Sequence, residues 1–245
     1  TARHLSELAR EAVELSRALP ERDLARRAGA LAGLITGRYR YRGDTETYDD
    51  PANANLIQVV ERRRGLPVAL GVLWLHCTRT IGWGAHGIDF PGHFLLALEA
   101  VPVSRQHRPA TSQQVVLDVF AGGVPLEAKD LRTLLKHVAG PSVELRPGVL
   151  QPMSARRVLL RLQENVRVRR LRNDDLAGAL ACTEDMLRMA PDHAQLWREA
   201  AVMNQRLDHV AAALRCYSRF LDLVPSGEAA ARTRAAMDEL RARLN

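Results

Sequence analysis

The chain has 245 residues, with 35 basic and 28 acidic side chains and a formal net charge of +7. Its hydrophobic fraction of 47% is ordinary for a globular protein of one large or two smaller domains. No apolar run approaches the ~20 residues that span a bilayer, so the sequence predicts no membrane-spanning segment and no membrane partner.

The cysteine content argues against a disulfide framework and against structural zinc. The three cysteines are an odd number and include no CxxC pair, which favours a reducing cytoplasm. The histidines show no HExxH-like or paired spacing. We therefore expect a cytoplasmic protein with neither a metal ion nor a cofactor.

The basic excess consists almost entirely of arginine. It is compatible with a nucleic-acid partner or an acidic protein partner, and equally with an arginine-rich, solvated surface. Because no nucleic-acid motif and no basic patch with interleaved aromatic residues accompanies the charge, we favour the solvated surface over nucleic-acid binding.

The first part of the chain is predicted to be helical. Apolar residues recur at helical spacing through residues 1–36, with a break at Pro20. A polar, turn-rich stretch follows from Gly37 to Asp50. Asn55 is then a candidate N-cap for a short helix that begins at Leu56 and runs into three arginines.

The helix predicted from Pro67 to Ile81 is the element around which the rest is organised. Pro67 suits a first helical position and Gly82 a left-handed C-terminal one. Its apolar stripe comprises Leu70, Leu73, Trp74, Cys77 and Ile81. The positive end of a helix stabilises an anion such as a thiolate, yet here Gly-Leu-Pro offers no nucleophile.

After Gly82 the pattern changes to short apolar runs of strand length. Residues 94–98 and 115–120 are predicted strands, joined by a hairpin loop at 99–114, and another helix follows at 131–138. A helix followed by antiparallel strands indicates an α+β domain. The proline-rich stretch 141–152 is the best candidate for a linker, so we expect an N-terminal domain at 1–140 and a helical region at 153–245.

The C-terminal region repeats itself at an offset typical of tetratricopeptide repeats. Ala179-Leu180 returns as Ala213-Leu214, and Met189-Ala190-Pro191 as Leu223-Val224-Pro225. The first repeat is weaker, with Arg167 where a small residue is usual. Residues 226–243 are predicted to form a terminal capping helix that packs through Ala231, Ala235 and Leu240.

Four segments of the chain resemble the bacterial SirB-one family. They are Tyr48-Asp49-Asp50-Pro51-Ala52-Asn53, the run from Glu61 to Leu70, Phe90-Pro91-Gly92-His93-Phe94, and the run from Leu117 to Gly123. The resemblance implies a transglutaminase-like core, related to papain-type cysteine hydrolases, followed by tetratricopeptide repeats. Ala54 departs from the family pattern, which usually has serine there.

The resemblance also implies where a catalytic Cys–His–Asp site would lie. His93 and Asp118 match the histidine and aspartate positions, whereas the cysteine position falls at or beside Pro67. A thiol hydrolase needs a thiolate, a base and an orienting carboxylate, so the resemblance implies a residual dyad without the attacking atom. Alternatively, His93 and Asp118 are two buried polar side chains that only satisfy each other's hydrogen-bonding groups.

The other thiols do not replace the missing one in this interpretation. Cys77 lies well inside its helix on the apolar stripe, where nothing lowers a thiol pKa, so we assign it to core packing. Cys182 and Cys216 occupy equivalent positions of the two repeats, which is typical of packing between helices.

Partner binding is expected at two sets of residues. Arg62, Arg63 and Arg64 precede the helix start and either bind a carboxylate there or form structural salt bridges. In the repeats we expect Trp197 to take part, and a run of arginines predicted to lie in one helix either is solvated or docks an acidic peptide. That run comprises Arg156, Arg157, Arg161, Arg167, Arg169, Arg170 and Arg172.

Together these features favour a pseudoenzyme that binds a protein or peptide partner through its helical repeats. The alternative is an amidase, protease or acyl transferase of the cysteine-hydrolase type that uses an unrecognised nucleophile.

Overall fold

The computed structural model describes residues 2–20, 23–100, 113–145 and 147–243. The chain divides into two compact units, Thr1–Val158 and Leu159–Asn245. Most of the hairpin loop expected at 99–114 lies outside the described residues.

Helices dominate the start of the first unit, as the sequence predicts. The second of them continues into a wider π turn at Gly33–Arg38. Asn55 caps the third, and its side chain accepts the backbone N–H groups of Ile57 and Gln58. The helices of this unit are α1 (Ala2–Ser16), α2 (Leu24–Ala32), α3 (Leu56–Arg62), α4 (Pro67–Ile81) and α5 (Ala128–Ala139), and α6 (Ala155–Arg172) contains the boundary with the second unit.

Two sheets complete the first unit. A short parallel pair consists of β1 (Arg42–Gly43) and β2 (Arg64–Gly65), and β2 lies just before α4 in the chain. A larger antiparallel sheet has the order β6-β5-β4-β3-β7. Its strands are β3 (Gly84–Phe90), β4 (His93–Glu99), β5 (Gln114–Asp118), β6 (Val124–Leu126) and β7 (Pro152–Met153).

The central helix α4 has the predicted bounds. Pro67 lies in its first turn, and Gly82 ends it in the left-handed conformation at φ 84°. Gly71 lets α4 approach the sheet closely, because a Cβ at that position would lie 2.1 Å from the ring of Phe94 on β4. The other face of the sheet packs on α5, where Ile88 and Leu95 join Leu131 and Leu135 in one core cluster.

Residues 141–152, which we expected to be a linker, contribute to the first unit. β7 pairs with β3 through Met153 opposite Gly87, and four apolar side chains of this stretch pack against the core cluster. Those side chains are Val143, Leu145, Val149 and Leu150. The proline content of this stretch does not distinguish a linker from an edge strand, because a residue without an N–H is suited to either.

The second unit consists of antiparallel helix pairs with the predicted repeat. Ala179 and Ala213, the equivalent small residues of the two repeats, are both completely buried. In the terminal helix, however, the buried residues are Ala230, Thr233, Met237 and Leu240, so the packing expected of Ala231 and Ala235 is wrong. The helices are α7 (Leu176–Met189), α8 (Ala194–Arg206), α9 (Val210–Leu223) and α10 (Glu228–Ala242).

None of the helices in the described parts of the chain combines the length and the apolar character needed to cross a bilayer.

Candidate functional site

The sheet brings His93 and Asp118 together. His93 begins β4 and Asp118 ends β5, and these strands pair antiparallel with Leu96 opposite Leu117. Nε2 of His93 lies 3.1 Å from Oδ1 of Asp118. Both side chains are largely buried, with 14% and 16% of their surfaces exposed. The contact that the resemblance implies is therefore present.

The Asp118 carboxylate is held as an anion. Burial raises the pKa of this carboxyl, but the hydrogen bond and charge of His93, with the N–H groups of Ala121 and Phe120, lower the pKa further, to below its ordinary value. With the proton of a neutral imidazole on Nε2, the ring lone pair is on Nδ1. The pair thus fixes one tautomer and one orientation of the imidazole. This arrangement is suited to proton transfer, and equally to the hydrogen bonding of two buried polar side chains.

The start of α4 contains no attacking atom. Leu66 is the N-cap, with an extended backbone and no side-chain cap, and Pro67 and Val68 follow in the first turn. All three are buried, and the N–H of Leu66 donates to the carbonyl of Asn53 at 2.9 Å. Hydrocarbon side chains of this kind cannot attack a carbonyl carbon.

The strand pairing gives His93 and Phe94 opposite faces of the sheet. His93 pairs across the strands with Phe90, which belongs to the cluster on the α5 face, whereas Phe94 contacts Gly71 of α4. Because successive side chains of a strand alternate between faces, His93 belongs to the α5 side.

Phe120 connects the imidazole with the segment that precedes α4. Its ring lies edge-on to His93, with centroids 6.2 Å apart. A Cβ at Gly43 would lie 2.6 Å from the same ring, and Gly43 pairs with Gly65, two residues before Pro67. Phe120 therefore contacts both His93 and the strand pair whose second strand leads into α4.

Burial keeps all three cysteines protonated. It raises the pKa of the completely buried Cys77 thiol to about 12. Burial also raises the pKa values of Cys182 and Cys216 in the second unit. Since the thiolate is the reactive form, none of these side chains is activated as a nucleophile at neutral pH.

Arg62, the first of the three arginines before α4, pairs with two acids, of which one is completely buried. Its guanidinium lies 2.8 Å from Asp50 and 3.5 Å from Asp44, whose side chain is 0% exposed. Asp44 also accepts the N–H and the hydroxyl of Thr47. The hydrogen bond from the Thr47 backbone is the largest cause that lowers the pKa of Asp44 to about 2.

The next two arginines are also engaged within the first unit. Arg63 adopts the left-handed conformation that ends α3, and its guanidinium donates to the carbonyl of Tyr39. Arg64 pairs with the exposed Glu46 at 2.8 Å. A ligand carboxylate at any of these arginines would have to compete with an internal partner.

The second unit contains a groove with a volume of about 520 Å³. Its lining comes mainly from α6, α8 and α10, and α9 contributes Tyr217. Arg198, Val202 and Arg206 lie at successive steps of four residues, hence on one face of α8. The lining comprises Arg167, Leu171, Arg198, Glu199, Val202, Met203, Arg206, Tyr217, Arg232, Thr233 and Ala236.

Of the residues that we expected to bind a partner in α6 and in the repeats, one, Arg167, lines the groove. Trp197 packs against the repeat core, and its Nε1 donates to the carbonyl of Pro191 at 2.9 Å. In the arginine run of α6, Arg157 pairs with Asp89 and Arg170 with Asp175, whereas Arg167 lines the groove. Sequence reasoning missed the α8 arginines, although their spacing was a readable signal.

Within the described ranges, no group of three or more histidine, cysteine, aspartate or glutamate side chains is arranged to hold a metal ion.

Two family models match successive parts of the chain. A model described as the transglutaminase-like superfamily matches residues 2–164, and a tetratricopeptide-repeat model matches residues 166–244. The chain is thus similar to transglutaminase-like proteins through its first unit and to repeat proteins through its second. No solved structure matches the chain significantly.

The chain is also similar to curated bacterial proteins named UPF0162. It is 32% identical to one from Xylella fastidiosa strain Temecula1 over 189 residues, which are 76% of this chain and 64% of that protein. It is 31% identical to one from Vibrio cholerae over 225 residues, or 91% of this chain and 80% of that protein. The chain thus spans less than two thirds of the Xylella relative but most of the Vibrio one. It belongs to the transglutaminase-like superfamily, and within it to the UPF0162 proteins.

Proposed function

We propose that this chain is a non-catalytic, cytoplasmic transglutaminase-like protein of the SirB-one family that binds a protein or peptide partner through its helical repeats. The observation that carries the proposal is the start of α4, where Leu66, Pro67 and Val68 leave no nucleophile at the position that a thiol hydrolase requires. The groove in the repeats supplies a concave surface of the kind to which partners bind.

Two further observations support the loss of acyl transfer. The pKa of Cys77 is raised to about 12, so this thiol does not substitute for the missing one. The pairing of His93 with Phe90 supports a position of the imidazole on the sheet face opposite the one that Gly71 of α4 contacts. Under this proposal the His93–Asp118 pair positions the ends of β4 and β5 and satisfies two buried polar groups.

Thiol labelling tests the loss of catalysis. We expect Cys77 in the folded chain to react with iodoacetamide at neutral pH far more slowly than a free thiol, because it is buried and protonated. Unfolding in guanidinium should expose it to full modification, which serves as the control. Rapid, stoichiometric labelling of Cys77 in the folded chain would contradict the proposal.

An amide hydrolase or acyl transferase with another nucleophile is the second candidate. The hydrogen-bonded His93–Asp118 pair favours it, since the pair orients an imidazole as a general base requires. This candidate predicts that His93→Ala and Asp118→Ala abolish ammonia or amine release from a panel of glutamine-containing peptides. His137→Ala, on the exposed face of α5, is the matched control. Absence of turnover by the wild-type chain eliminates the candidate for those substrates.

Steric blocking of the groove tests partner binding. Val202→Trp adds bulk to the groove lining, and Ile57→Trp adds the same bulk to an exposed site in the first unit. We expect proteins captured by the wild-type chain to be retained by Ile57→Trp and lost by Val202→Trp. Capture that survives Val202→Trp would show that the groove is not the binding surface.

A further inference from the structure

The groove of the second unit has a strong excess of positive charge. Four arginines line it, at positions 167, 198, 206 and 232, against a single acid, Glu199. That acid is already engaged, because it accepts hydrogen bonds from both Arg167 and Gln195. The one acid of the lining is therefore already paired with Arg167, and the lining has no other acid to balance its remaining arginines.

Two of these arginines are available to a ligand. In the described part of the chain, the structure gives neither Arg198 nor Arg206 a hydrogen bond or an ion pair. Arg167, in contrast, is buried and held by Glu164 and Glu199, and Arg232 pairs with Glu228 one turn earlier. A planar guanidinium without a partner is well suited to bidentate binding of a carboxylate.

The same groove also exposes apolar surface between its arginines. Val202 lies one helical turn from both Arg198 and Arg206 and is 43% exposed, and Leu171 on α6 is 38% exposed. Both are among the few large hydrophobic side chains that the described residues leave exposed. Apolar area inside a charged rim marks a site for another molecule more often than a bare surface does.

The lining favours a peptide over a nucleic acid. Sequence-tolerant binding of single strands relies on aromatic side chains on which bases stack. The aromatic residue here, Tyr217, is only 4% exposed, and its hydroxyl donates to Gln205 at 2.9 Å. Aliphatic side chains at Leu171 and Val202 instead suit the aliphatic side chains of a peptide.

We infer that this groove binds an acidic peptide segment that carries aliphatic side chains between its carboxylates. Carboxylates of the peptide pair with Arg198 and Arg206, and an aliphatic side chain of the peptide packs on Val202 and Leu171. This inference rests on the proposed function, to which it adds the chemistry of the partner.

Fluorescence anisotropy with short synthetic peptides tests the inference on the full chain. The probe alternates glutamate and leucine, and the comparison peptides replace either glutamate by glutamine or leucine by glycine. We expect the glutamate–leucine peptide to bind most tightly and its affinity to fall with added salt. Arg198→Gln combined with Arg206→Gln should weaken it by ~10-fold or more, as expected for lost charge-assisted hydrogen bonds.

The matched control removes the same charge elsewhere in the unit. Arg215→Gln combined with Arg219→Gln alters exposed positions of α9 outside the groove and should leave the affinity unchanged within ~2-fold. Circular dichroism of both double variants verifies that the helices persist. Equal weakening by both pairs would overturn the inference, because it would reduce the effect to net charge.

The remaining outcomes separate the inference from the proposed function. The glutamine–leucine peptide could bind as tightly as the glutamate–leucine peptide, with Val202→Trp abolishing the binding of both. In that case the inferred preference for acidic peptides is wrong, and the groove is still the binding surface of the proposed function. If an oligothymidylate displaces the acidic peptide at lower concentration, the partner is a nucleic acid and the inference is wrong. No binding of the glutamate–leucine peptide at millimolar concentration overturns the inference, and the capture experiment with Val202→Trp then decides the proposed function alone.

Discussion

Arginine is used in opposite ways in the two units of this chain. In the first unit Arg62 faces a completely buried carboxylate, and Arg64 also has an internal acid. In the second unit Arg198 and Arg206 line a groove, and the described residues give them neither a hydrogen bond nor an ion pair. The difference shows that the count of basic residues says little about binding. What distinguishes the units is whether the fold supplies each cation with its own anion.

The largest effect is expected from Asp44→Asn. The carboxylate is 0% exposed and accepts two backbone N–H groups and the Thr47 hydroxyl, so an amide there turns one buried acceptor into a donor and leaves Arg62 with Asp50 alone. We expect the free energy of unfolding of the first unit to fall by about 3 kcal/mol.

The measurement is guanidinium unfolding in a Trp197→Phe background. The fluorescence then reports Trp74 and Trp83, both of which lie in the first unit. A loss of unfolding free energy below about 0.5 kcal/mol would contradict the idea that internal charge pairing stabilises the first unit.

The next largest effect should separate two adjacent arginines. Arg62→Ala leaves Asp44 buried without its cation, whereas Arg64→Ala releases an acid that is already exposed. We expect losses of about 2 kcal/mol and below about 1 kcal/mol, respectively. Unfolding of both variants under the same conditions compares them directly, and equal losses would contradict the assigned roles.

Acid should remove the contribution that the ionised Asp44 carboxylate makes to the stability of the first unit. The pKa of Asp44 is lowered to about 2 in the folded chain from an ordinary 3.8, so its contribution is complete above pH 4 and is lost as pH falls through 2. The size is about 2 kcal/mol. Asp118, whose pKa is also lowered, acts in the same direction.

A pH series of unfolding free energies for the wild-type chain and Asp44→Asn measures this loss. The difference between the two chains should shrink between pH 4 and pH 2. A difference that stays constant across this range would show that Asp44 is not the titrating group.

The smallest effect is expected in the groove. Arg198→Gln combined with Arg206→Gln removes no internal partner, so stability should change by less than ~0.5 kcal/mol while peptide affinity falls. Hydrogen exchange of the peptides from α8 and α10 measures the local effect. A loss of stability above about 1 kcal/mol would show that Arg198 and Arg206 stabilise the fold as Arg62 does, which would contradict the difference between the two units.

Local signals predicted the helices well, and the family resemblance predicted the contact between His93 and Asp118. The Pro67–Gly82 helix and the Asn55 cap follow from backbone chemistry at single residues, and the repeat follows from its spacing. The pairing of His93 with Asp118 came from a family resemblance and is present at 3.1 Å. These features depend on a few neighbouring residues or on a pattern that many sequences share.

Features that depend on distant parts of the chain were not predictable in the same way. The edge strand β7 exists because β3 offers it a partner, and nothing in the segment 141–152 itself distinguishes a linker from an edge strand. The buried face of α10 includes the polar Thr233, so a search for apolar spacing selected Ala231 and Ala235 instead. The burial of Asp44 likewise depends on Arg62 and on the Thr47 turn.

The repeat position occupied by Arg167 has a geometric consequence. Small residues at such positions let neighbouring helices touch, but this side chain is long, buried and clamped between Glu164 on its own helix and Glu199 on α8. Its guanidinium therefore links α6 to α8 through one carboxylate on each helix. The wall of the groove is thus cross-linked by an internal ion triplet, and truncating that one side chain to alanine should leave two carboxylates without their cation and remove the link between the helices.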